Sequence, residues 1–164
     1  MKLFLPNHQI RSLEQLDPLT LFEQGIRLIV IDADNTLLAP YEKTCRKEKE
    51  AWVLAIQQLD IRIVLISNNI PSRLSLVDKQ LHIEAISLAF KPFPFKIKRY
   101  MKKHGFQSHA TCLVGDQLFT DITAGNLLGL TTVLVEPIVA NEYFYTRWIR
   151  ILEKAALSAK RKQG

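Results

Sequence analysis

Five short apolar runs, rich in β-branched residues, recur along the 164-residue chain at residues 28–31, 61–66, 85–88, 111–114 and 131–135. Runs of this kind are typical of strands that are buried on both faces of a parallel sheet. Helical segments bounded by Pro or Gly are predicted between them, at about residues 45–59, 71–81, 95–103 and 119–128. The alternation predicts an α/β fold: a three-layer α/β/α, doubly wound sheet of five parallel strands.

The composition fits a single domain that folds without disulfides, since 48% of the residues are hydrophobic and 23% are charged. We divide it into a leader with one short helix at residues 1–27, a core at 28–137 and a C-terminal helix at 138–164. Cys45 and Cys112 lack metal-binding spacing and are expected to be reduced. No apolar run approaches the roughly 18 residues of a membrane span, and the N-terminus lacks the apolar core of a secretion signal. These features predict a cytoplasmic protein.

Polar side chains cluster where the predicted strands end. They are Asp32 and Asp34 after the first strand, Ser67 and Asn68 after the second, Lys91 after the third, and Asp116 and Asp121 after the fourth. In a parallel sheet these strand ends lie on one edge, which is where open α/β folds bind their ligands. We therefore expect four carboxylates, a hydroxyl and an ammonium group to converge there.

Carboxylates brought this close repel one another unless a cation or raised pKa values offset their charge. The set contains oxygen ligands and neither His nor Cys, which favours magnesium over zinc and indicates phosphate chemistry. Asp32 and Asp34, two residues apart, can divide nucleophilic attack and proton transfer between them. Ser67, with Asn68 beside it, and Lys91 would then bind the phosphoryl oxygens.

Each of these motifs alone is more often structural than catalytic. An Asp-x-Asp tripeptide also occurs in turns and calcium loops, Ser-Asn-Asn often caps a loop, and a Gly-Asp pair often forms a turn. Lysines are usually solvated, and Lys96 competes with Lys91 for the catalytic role. We favour Lys91, because it directly follows a strand and Pro92 stiffens its loop, whereas Lys96 has the spacing of a solvated helix face.

Together, the motifs resemble those of the haloacid dehalogenase-like phosphatases, and within them subfamily IIIA of the YqeG type. Asp32 to Leu37 resembles the first motif, Ser67 the second, Lys91-Pro92 the third, and Gly115-Asp116 through Asp121 the fourth. The likeness extends over about residues 7–137. It implies a phosphoric monoester hydrolase that acts through an aspartyl-phosphate intermediate.

The resemblance also implies a role for each residue. Asp32 is the expected nucleophile, and Asp34 is the expected general acid and base. A magnesium ion (Mg²⁺) is expected to be held by the Asp32 carboxylate, the Asp34 backbone carbonyl and Asp116. Asp121 is expected to act on the metal through water or through the residues that surround it, with direct ligation as an alternative. The superfamily's sheet order would place the fourth predicted strand beside the first.

Only about 30 residues separate the first two motifs, which leaves no room for a cap domain and predicts an open pocket. The leader Pro6-Asn7-His8 and the first motif are similar to those of mitochondrial phosphatidylglycerophosphate phosphatases, which implies a lipid-linked phosphate as substrate. Sugar, nucleotide and polynucleotide phosphates are alternatives, because the catalytic residues process the phosphate and say little about the leaving group. The phenylalanines near Lys91, at positions 90, 93, 95 and 106, are interpreted as core or rim residues.

The net charge of +6 is concentrated near the C-terminus, where six Lys and Arg residues and one Glu follow residue 146. Trp148, Ile151, Leu152 and Ala155 share one face of a predicted helix, and the cations lie opposite. Residues 147–164 could therefore contact an anionic membrane, which would make the protein peripheral on the inner membrane face. In the alternative, this apolar face packs on the domain.

Two other classes of protein fit parts of the sequence. The basic tail would suit an RNA- or ribosome-associated binding protein, but no nucleic-acid-binding motif accompanies it, so nucleic acid is the weaker candidate partner. Phosphoacceptor signalling domains also carry several aspartates, but they resemble a pattern with the acceptor after the third strand, where this chain has Lys91. No feature of the sequence defines the oligomeric state.

Overall fold

The computed structural model describes residues 3–39, 42, 44–68 and 79–139. Within these residues the strands are β1 (His8–Ile10), β2 (Leu28–Asp32), β3 (Arg62–Ile66), β4 (Glu84–Ile86), β5 (Thr111–Gly115) and β6 (Thr131–Val135). The helices are α1 (Pro18–Glu23), α2 (Lys47–Gln58), α3 (Phe95–His104) and α4 (Thr123–Leu127). Short 3-10 turns lie at Leu13–Gln15 and Ser108–Ala110, and a π-helical turn lies at Leu118–Ile122.

The strands form one parallel sheet in the order β1-β6-β5-β2-β3-β4. The predicted doubly wound parallel sheet is therefore confirmed. In the register of the central strands, Asp32 pairs with Ile66 of β3, and Ile31 pairs with Val114 of β5. The carboxyl ends of β2, β3 and β5 consequently lie side by side on one edge of the sheet.

The predicted number of five strands was wrong, because β1 adds a sixth at the edge of the sheet. It has only three residues and pairs with β6, with His8 opposite Val133. Two of its three side chains are exposed, so it lacks the buried apolar run by which the other strands were recognised. Asn7 fastens it, since its Oδ1 accepts a hydrogen bond from the backbone N of Thr132 (2.8 Å).

Apolar layers cover both faces of the sheet. Side chains alternate along β2: Ile29 and Ile31 pack in a cluster that includes residues of α1 and α2. Leu28 and Val30 pack on the opposite face against residues of α3. Every residue of β2 is buried, which is why its sequence reads as an uninterrupted apolar run rather than as an alternating one.

Local signals set most element ends. α1 begins after Asp17, whose Oδ2 accepts a hydrogen bond from the backbone N of Thr20 (2.8 Å). α3 ends at Gly105, which has a left-handed φ of 75°. β4 ends at Ile86 rather than at residue 88, because Leu88 has a φ of 50° and cannot continue an extended strand.

The helix predicted at residues 119–128 is divided into the π-helical turn and α4. The backbone N of Ile122 donates to the carbonyl oxygen of Gln117 (3.2 Å), which makes this turn wider than an α-helical one. Asp121 folds back over the turn, and its Oδ2 accepts from the backbone N of Gln117 (3.2 Å). The wide turn thus accommodates the buried Asp121 side chain.

Two predicted helices fall mostly outside the described residues. The helix predicted at 71–81 is described only at residues 79–81, which are helical. The C-terminal helix predicted at 138–164 is described only at residues 138 and 139. In the part of the chain that the structure covers, no helix has the length and apolar character needed to cross a membrane.

Candidate active site

Asp32 is the last residue of β2 and is almost fully buried. Beyond it the chain leaves the sheet in a tight loop, in which Ala33 N donates to a carbonyl oxygen of β3 (2.9 Å) and Leu38 N donates to the Ala33 carbonyl oxygen (3.0 Å). Asn35 has a φ of 66°, a left-handed conformation that Asn tolerates better than most residues. The loop therefore holds both aspartates of the first motif at the sheet edge.

Asn35 ties this loop to the segment that follows β6. Its Nδ2 donates to the carbonyl oxygen of Val139 (3.0 Å), its Oδ1 accepts from the Val139 backbone N (2.9 Å), and its carbonyl oxygen accepts from the Ile138 backbone N (3.0 Å). On another side, Lys49 Nζ of α2 donates to the carbonyl oxygen of Thr36 (2.8 Å). The position of the loop thus depends on contacts with distant parts of the chain.

Ser67 and Asn68 follow β3 and contact different parts of the site. Ser67 Oγ donates to Asp34 Oδ2 (2.6 Å), which joins the ends of β2 and β3. Asn68 Oδ1 accepts from the backbone N of Lys91 (2.9 Å), and Asn68 Nδ2 donates to the Lys91 carbonyl oxygen (3.2 Å). Asn68 therefore positions the backbone of Lys91, a contact that the sequence pattern did not predict.

The Lys91 ammonium group lies buried between two carboxylates. Its Nζ donates to Asp32 Oδ1 and to Asp121 Oδ1, the latter at 2.5 Å. Burial alone lowers the pKa of Lys91, but the charges of Asp121 and Asp32 outweigh burial and raise it above its ordinary value. Lys91 is therefore cationic. Lys96, the competing lysine, instead donates to the carbonyl oxygen of Ser87 (2.8 Å).

The end of β5 brings the remaining two aspartates to the site. Gly115 ends the strand, Asp116 follows it, and Asp121 lies fully buried on the π-helical turn. A Cβ atom on residue 115 would overlap the carboxyl group of Asp121, so glycine is needed here to leave room for that side chain. Glycine at position 115 is thus a packing requirement of the site.

The carboxylates form a cluster in which one oxygen from each of Asp32, Asp116 and Asp121 lies within 4.8 Å of the other two. When all are ionised, they outnumber the single Lys91 ammonium group and leave a negative excess. Burial raises the pKa of Asp32 well above its usual range, although Lys91 acts to lower it. Burial, followed by the Asp121 charge, raises the pKa of Asp116 to about 7. The cluster is short of positive charge.

These residues fit a divalent cation. Among the described residues, the buried atoms Asp32 Oδ2 and Asp116 Oδ1 have no hydrogen-bond partner. Buried carboxylates without partners are costly, and a divalent cation within the cluster would neutralise its excess charge. The available ligands are hard oxygen atoms, which is the donor set that Mg²⁺ prefers.

The residues singled out from the sequence therefore lie in one connected site. They are Asp32, Asp34, Ser67, Asn68, Lys91, Asp116 and Asp121. The sequence did not indicate the supporting roles of Asn35, Lys49 and Gly115. Asn and Gly were visible in the first and fourth motifs, but nothing local identified their partners.

Comparison with known proteins places these motifs in a family. A family model described as mitochondrial PGP phosphatase matches residues 1–139. The chain is 30% identical over 163 residues to the Bacillus subtilis (strain 168) protein named "Probable phosphatase YqeG", with 99% of this chain and 95% of that protein covered. It is 29% identical over 170 residues to phosphatidylglycerophosphate phosphatase 1, chloroplastic/mitochondrial, of Arabidopsis thaliana, with 98% of this chain and 49% of that protein covered.

Solved structures share the fold at low sequence identity. The 3-deoxy-D-manno-octulosonate 8-phosphate phosphatase of Moraxella catarrhalis, in complex with magnesium ion, phosphate ion and KDO, has a TM-score of 0.57 and 18% identity, and 70% of this chain and 71% of that chain are covered. The cobalt-bound deoxy-D-mannose-octulosonate 8-phosphate phosphatase of Haemophilus influenzae has a TM-score of 0.56 and 15% identity, and 68% of this chain and 69% of that chain are covered.

The resemblance inferred from the motifs is confirmed by the family model and the Bacillus subtilis relative. The chain belongs to the mitochondrial PGP phosphatase family, within subfamily IIIA of the haloacid dehalogenase-like superfamily, and is a phosphoric monoester hydrolase.

Proposed function

We propose that the chain is a Mg²⁺-dependent phosphatase in which Asp32 attacks phosphorus and is transiently phosphorylated. The observation that carries this proposal is the asymmetry of the Asp32 carboxylate. Lys91 holds Oδ1, whereas Oδ2 has no hydrogen-bond partner among the described residues. A carboxylate that is anchored through one oxygen and unpartnered at the other is suited to act as a nucleophile.

Mg²⁺ would be held by the Asp32 carboxylate, the Asp34 backbone carbonyl and Asp116, with Asp121 as a direct or water-mediated ligand. The negative excess of the cluster and the unpartnered Asp116 Oδ1 support this assignment, which leaves Asp32 Oδ2 for the attack on phosphorus. When bound, Mg²⁺ supplies positive charge that stabilises the charge developing on the phosphoryl oxygens. The Moraxella catarrhalis neighbour, which shares the fold, was solved with magnesium and phosphate ions.

The reaction has two steps. In the first, an Asp32 oxygen forms a bond to phosphorus while the bond from phosphorus to the leaving oxygen breaks, and Asp34 gives a proton to that oxygen. In the second, Asp34 takes a proton from water, the water oxygen attacks phosphorus, and the bond between Asp32 and phosphorus breaks to release inorganic phosphate. Ser67 Oγ, 2.6 Å from Asp34 Oδ2, orients Asp34 for both proton transfers.

Ser67, Asn68 and Lys91 are proposed to bind the phosphoryl group. Charge-assisted hydrogen bonds from a lysine to phosphoryl oxygens are stronger than those between neutral groups. The two hydrogen bonds between the Asn68 side chain and the Lys91 backbone support that lysine. When Asp34 carries its proton, Asp34 can donate to Ser67 Oγ, and the single Ser67 hydroxyl hydrogen is then available to a phosphoryl oxygen.

A lipid-linked phosphate such as phosphatidylglycerophosphate is the proposed substrate. The description of the matching family and the name of the Arabidopsis thaliana relative support it. Residues 33–46 join β2 to α2, and this segment is too short to form a cap domain. A site without a cap is accessible to a large substrate. We further propose that residues 147–164 contact an anionic membrane at its surface.

The test is phosphate release with and without Mg²⁺ from phosphatidylglycerophosphate in mixed micelles, alongside sugar, nucleotide and polynucleotide phosphates. We expect Mg²⁺-dependent hydrolysis that is fastest on the lipid and that falls more than about 10⁴-fold in Asp32→Asn. After an acid quench, the peptide containing residue 32 should carry phosphate in the native chain only. Turnover that survives Asp32→Asn would refute the nucleophile, and a preference for soluble phosphates would refute the lipid substrate.

A further inference from the structure

Four apolar side chains next to the catalytic lysine are exposed to solvent. The exposed fractions are 41% for Leu88, 61% for Phe90, 60% for Phe93 and 73% for Phe95. The three phenylalanines, Phe90, Phe93 and Phe95, flank Lys91 in the sequence and are called the aromatic rim. Single exposed apolar side chains are common, but several within one short segment mark an interaction surface.

The aromatic rim is ordered although it is exposed. Phe93 N donates to the Phe90 carbonyl oxygen (2.9 Å), which closes a turn around Lys91. The rings of Phe93 and Phe95 stack, with centroids 6.2 Å apart and planes inclined by 9°. Lys96 Nζ lies 5.3 Å from the centroid of the Phe90 ring. These contacts hold the rings at the surface instead of in the core.

A stripe of cations continues the aromatic rim along α3. Phe95, Lys98, Arg99 and Lys102 have the spacing of one helix face, and all four are exposed. The opposite face, which includes Ile97, packs in the hydrophobic core. The helix contains five Lys and Arg residues and neither Asp nor Glu. The surface beside the active site therefore combines aromatic rings with positive charge.

We propose that the aromatic rim and the exposed face of α3 dock on an anionic membrane, so that the active site receives a phosphate monoester carried by a lipid. This inference rests on the lipid substrate proposed above. Aromatic side chains enter the boundary between headgroups and acyl chains, and Lys and Arg attract anionic headgroups. The turn that bears Phe90 and Phe93 also bears Lys91, whose ammonium group contacts Asp32. Docking by this surface brings the nucleophile to the headgroups.

The charge of this surface argues against two other occupants. The chain's own C-terminal segment carries six cations and one Glu after residue 146, and it would meet the cations of α3 with like charge. A second copy of the chain, docked by the same surface, would oppose the same cations to each other. An anionic lipid surface complements the rings and the cations together.

The test is sedimentation of the full-length chain with vesicles of phosphatidylcholine alone and of phosphatidylcholine mixed with phosphatidylglycerol, without substrate. The paired variants Phe93→Ser with Phe95→Ser and Lys98→Gln with Arg99→Gln are compared with Leu19→Ser. Leu19 is a matched control, because it is 59% exposed and lies on α1, which precedes the amino end of β2, whereas Asp32 lies at its carboxyl end. The native chain should bind the anionic vesicles, each pair should weaken binding at least about tenfold, and Leu19→Ser should bind like the native chain.

The same variants are assayed on p-nitrophenyl phosphate and on the micellar lipid. The rim pair should lower lipid hydrolysis about tenfold, in parallel with the loss of binding, and should leave hydrolysis of the soluble ester unchanged. If the native chain hydrolyses neither substrate while its vesicle binding depends on the rim, the proposed function fails and the docking surface stands.

Two results would overturn the docking surface itself. In the first, both pairs bind vesicles normally and binding is lost instead when Arg147, Arg150 and Lys154 are replaced by Gln, which would assign docking to the C-terminal segment. In the second, the rim pair disrupts an oligomer of the chain, measured by sedimentation velocity, but leaves vesicle binding intact. The rim would then be an interface between copies of the chain.

Discussion

The loop after β2 and the loop after β5 both carry an aspartate of the active site, but different kinds of contact hold them in place. In the loop after β2, the Asn35 side chain is bonded to Val139, which is 104 positions further along the chain. In the loop after β5, Asp121 accepts from the backbone N of Gln117 and packs against Gly115, and both of these contacts lie within six positions. Apart from the bond between Asp121 and Lys91, these contacts are local, whereas the Asn35 contacts require the completed fold.

Lys91 joins these two loops, because its ammonium group bonds to Asp32 on one side and to Asp121 on the other. Asp32, the proposed nucleophile, is therefore surrounded by three kinds of contact: the Asn35 bonds to Val139 (the distant tie), the turn that carries Asp121 (the local turn) and the Lys91 ammonium group (the shared cation). Each of the three can be removed separately. The loss of the shared cation should have the largest effect, and loss of the distant tie a smaller one.

Lys91→Met removes the link between both loops. We expect turnover of p-nitrophenyl phosphate to fall on the order of 10³-fold, because a preorganised charge at the phosphoryl group is lost. The unfolding free energy should fall by about 3–5 kcal/mol without metal, because the buried carboxylates of Asp32 and Asp121 lose the Lys91 ammonium group that bonds to them. Urea denaturation and steady-state kinetics measure both effects, with Lys47→Met on the exposed end of α2 as the control. Near-native turnover in Lys91→Met would remove this lysine from the catalytic site.

Gly115→Ala tests the local packing of the loop after β5. The added methyl group overlaps the Asp121 carboxyl group, so we expect a loss of roughly 1–3 kcal/mol in unfolding free energy and about 100-fold in kcat. The same substitution made together with Asp121→Ala should cost much less stability, since the overlapping group is gone. A double-mutant cycle from denaturant melts measures this coupling. Equal costs in the two backgrounds would show that Asp121 is not the reason for glycine at this position.

Asn35 variants test the distant tie. Asn35→Gly keeps the left-handed backbone accessible but removes both side-chain bonds to Val139, so we expect a loss of about 1 kcal/mol in stability and roughly tenfold in kcat. Asn35→Ala removes the same bonds and adds backbone strain of about 1 kcal/mol or more. The difference between the two variants therefore separates the tie from the strain. An unchanged kcat in Asn35→Gly would mean that the tie does not position the nucleophile.

The same contrast explains which parts of the fold could be predicted. The strands β2, β3, β5 and β6 were recognisable because burial on both faces demands apolar residues at nearly every position. β1 was not, because an edge strand of three residues makes few demands on its side chains, and Asn7 fastens it through a partner 125 positions away. The family resemblance predicted that β5 lies beside β2. The hydrophobic pattern of the sequence alone does not specify the order of the strands.

In the active site, residue types were predictable and their mutual contacts were not. Parallel strands place their ends on one edge, so the convergence of Asp32, Ser67 and Asp116 could be expected from strand positions alone. An asparagine can donate and accept almost anywhere, so nothing in the sequence linked Asn68 to the backbone of Lys91. These pairings arise from the tertiary structure, in which residues far apart in the chain meet.

The smallest expected effect concerns the metal-free cluster, whose charge depends on pH. Burial and the Asp121 charge raise the pKa of Asp116 from 3.8 to about 7. A carboxyl group whose pKa is higher in the folded state binds more protons when folded, so the stability that it contributes is present at low pH and is lost as pH rises towards about 7. We therefore expect this group to lower the unfolding free energy between about pH 4 and 7. The decrease should be on the order of 1 kcal/mol, because residual solvent access screens the charge of Asp116.

Urea melts of the native chain and of Asp116→Asn, both without metal, isolate this contribution. The other carboxyl groups titrate in both chains, so their effect on the unfolding free energy cancels in the difference. Mg²⁺ and protons compete for the Asp116 carboxylate. Added Mg²⁺ should therefore reduce the pH dependence of the difference in unfolding free energy between the native chain and Asp116→Asn. A difference that grows in the opposite direction with pH would show that the carboxylate at position 116 already has a compensating charge.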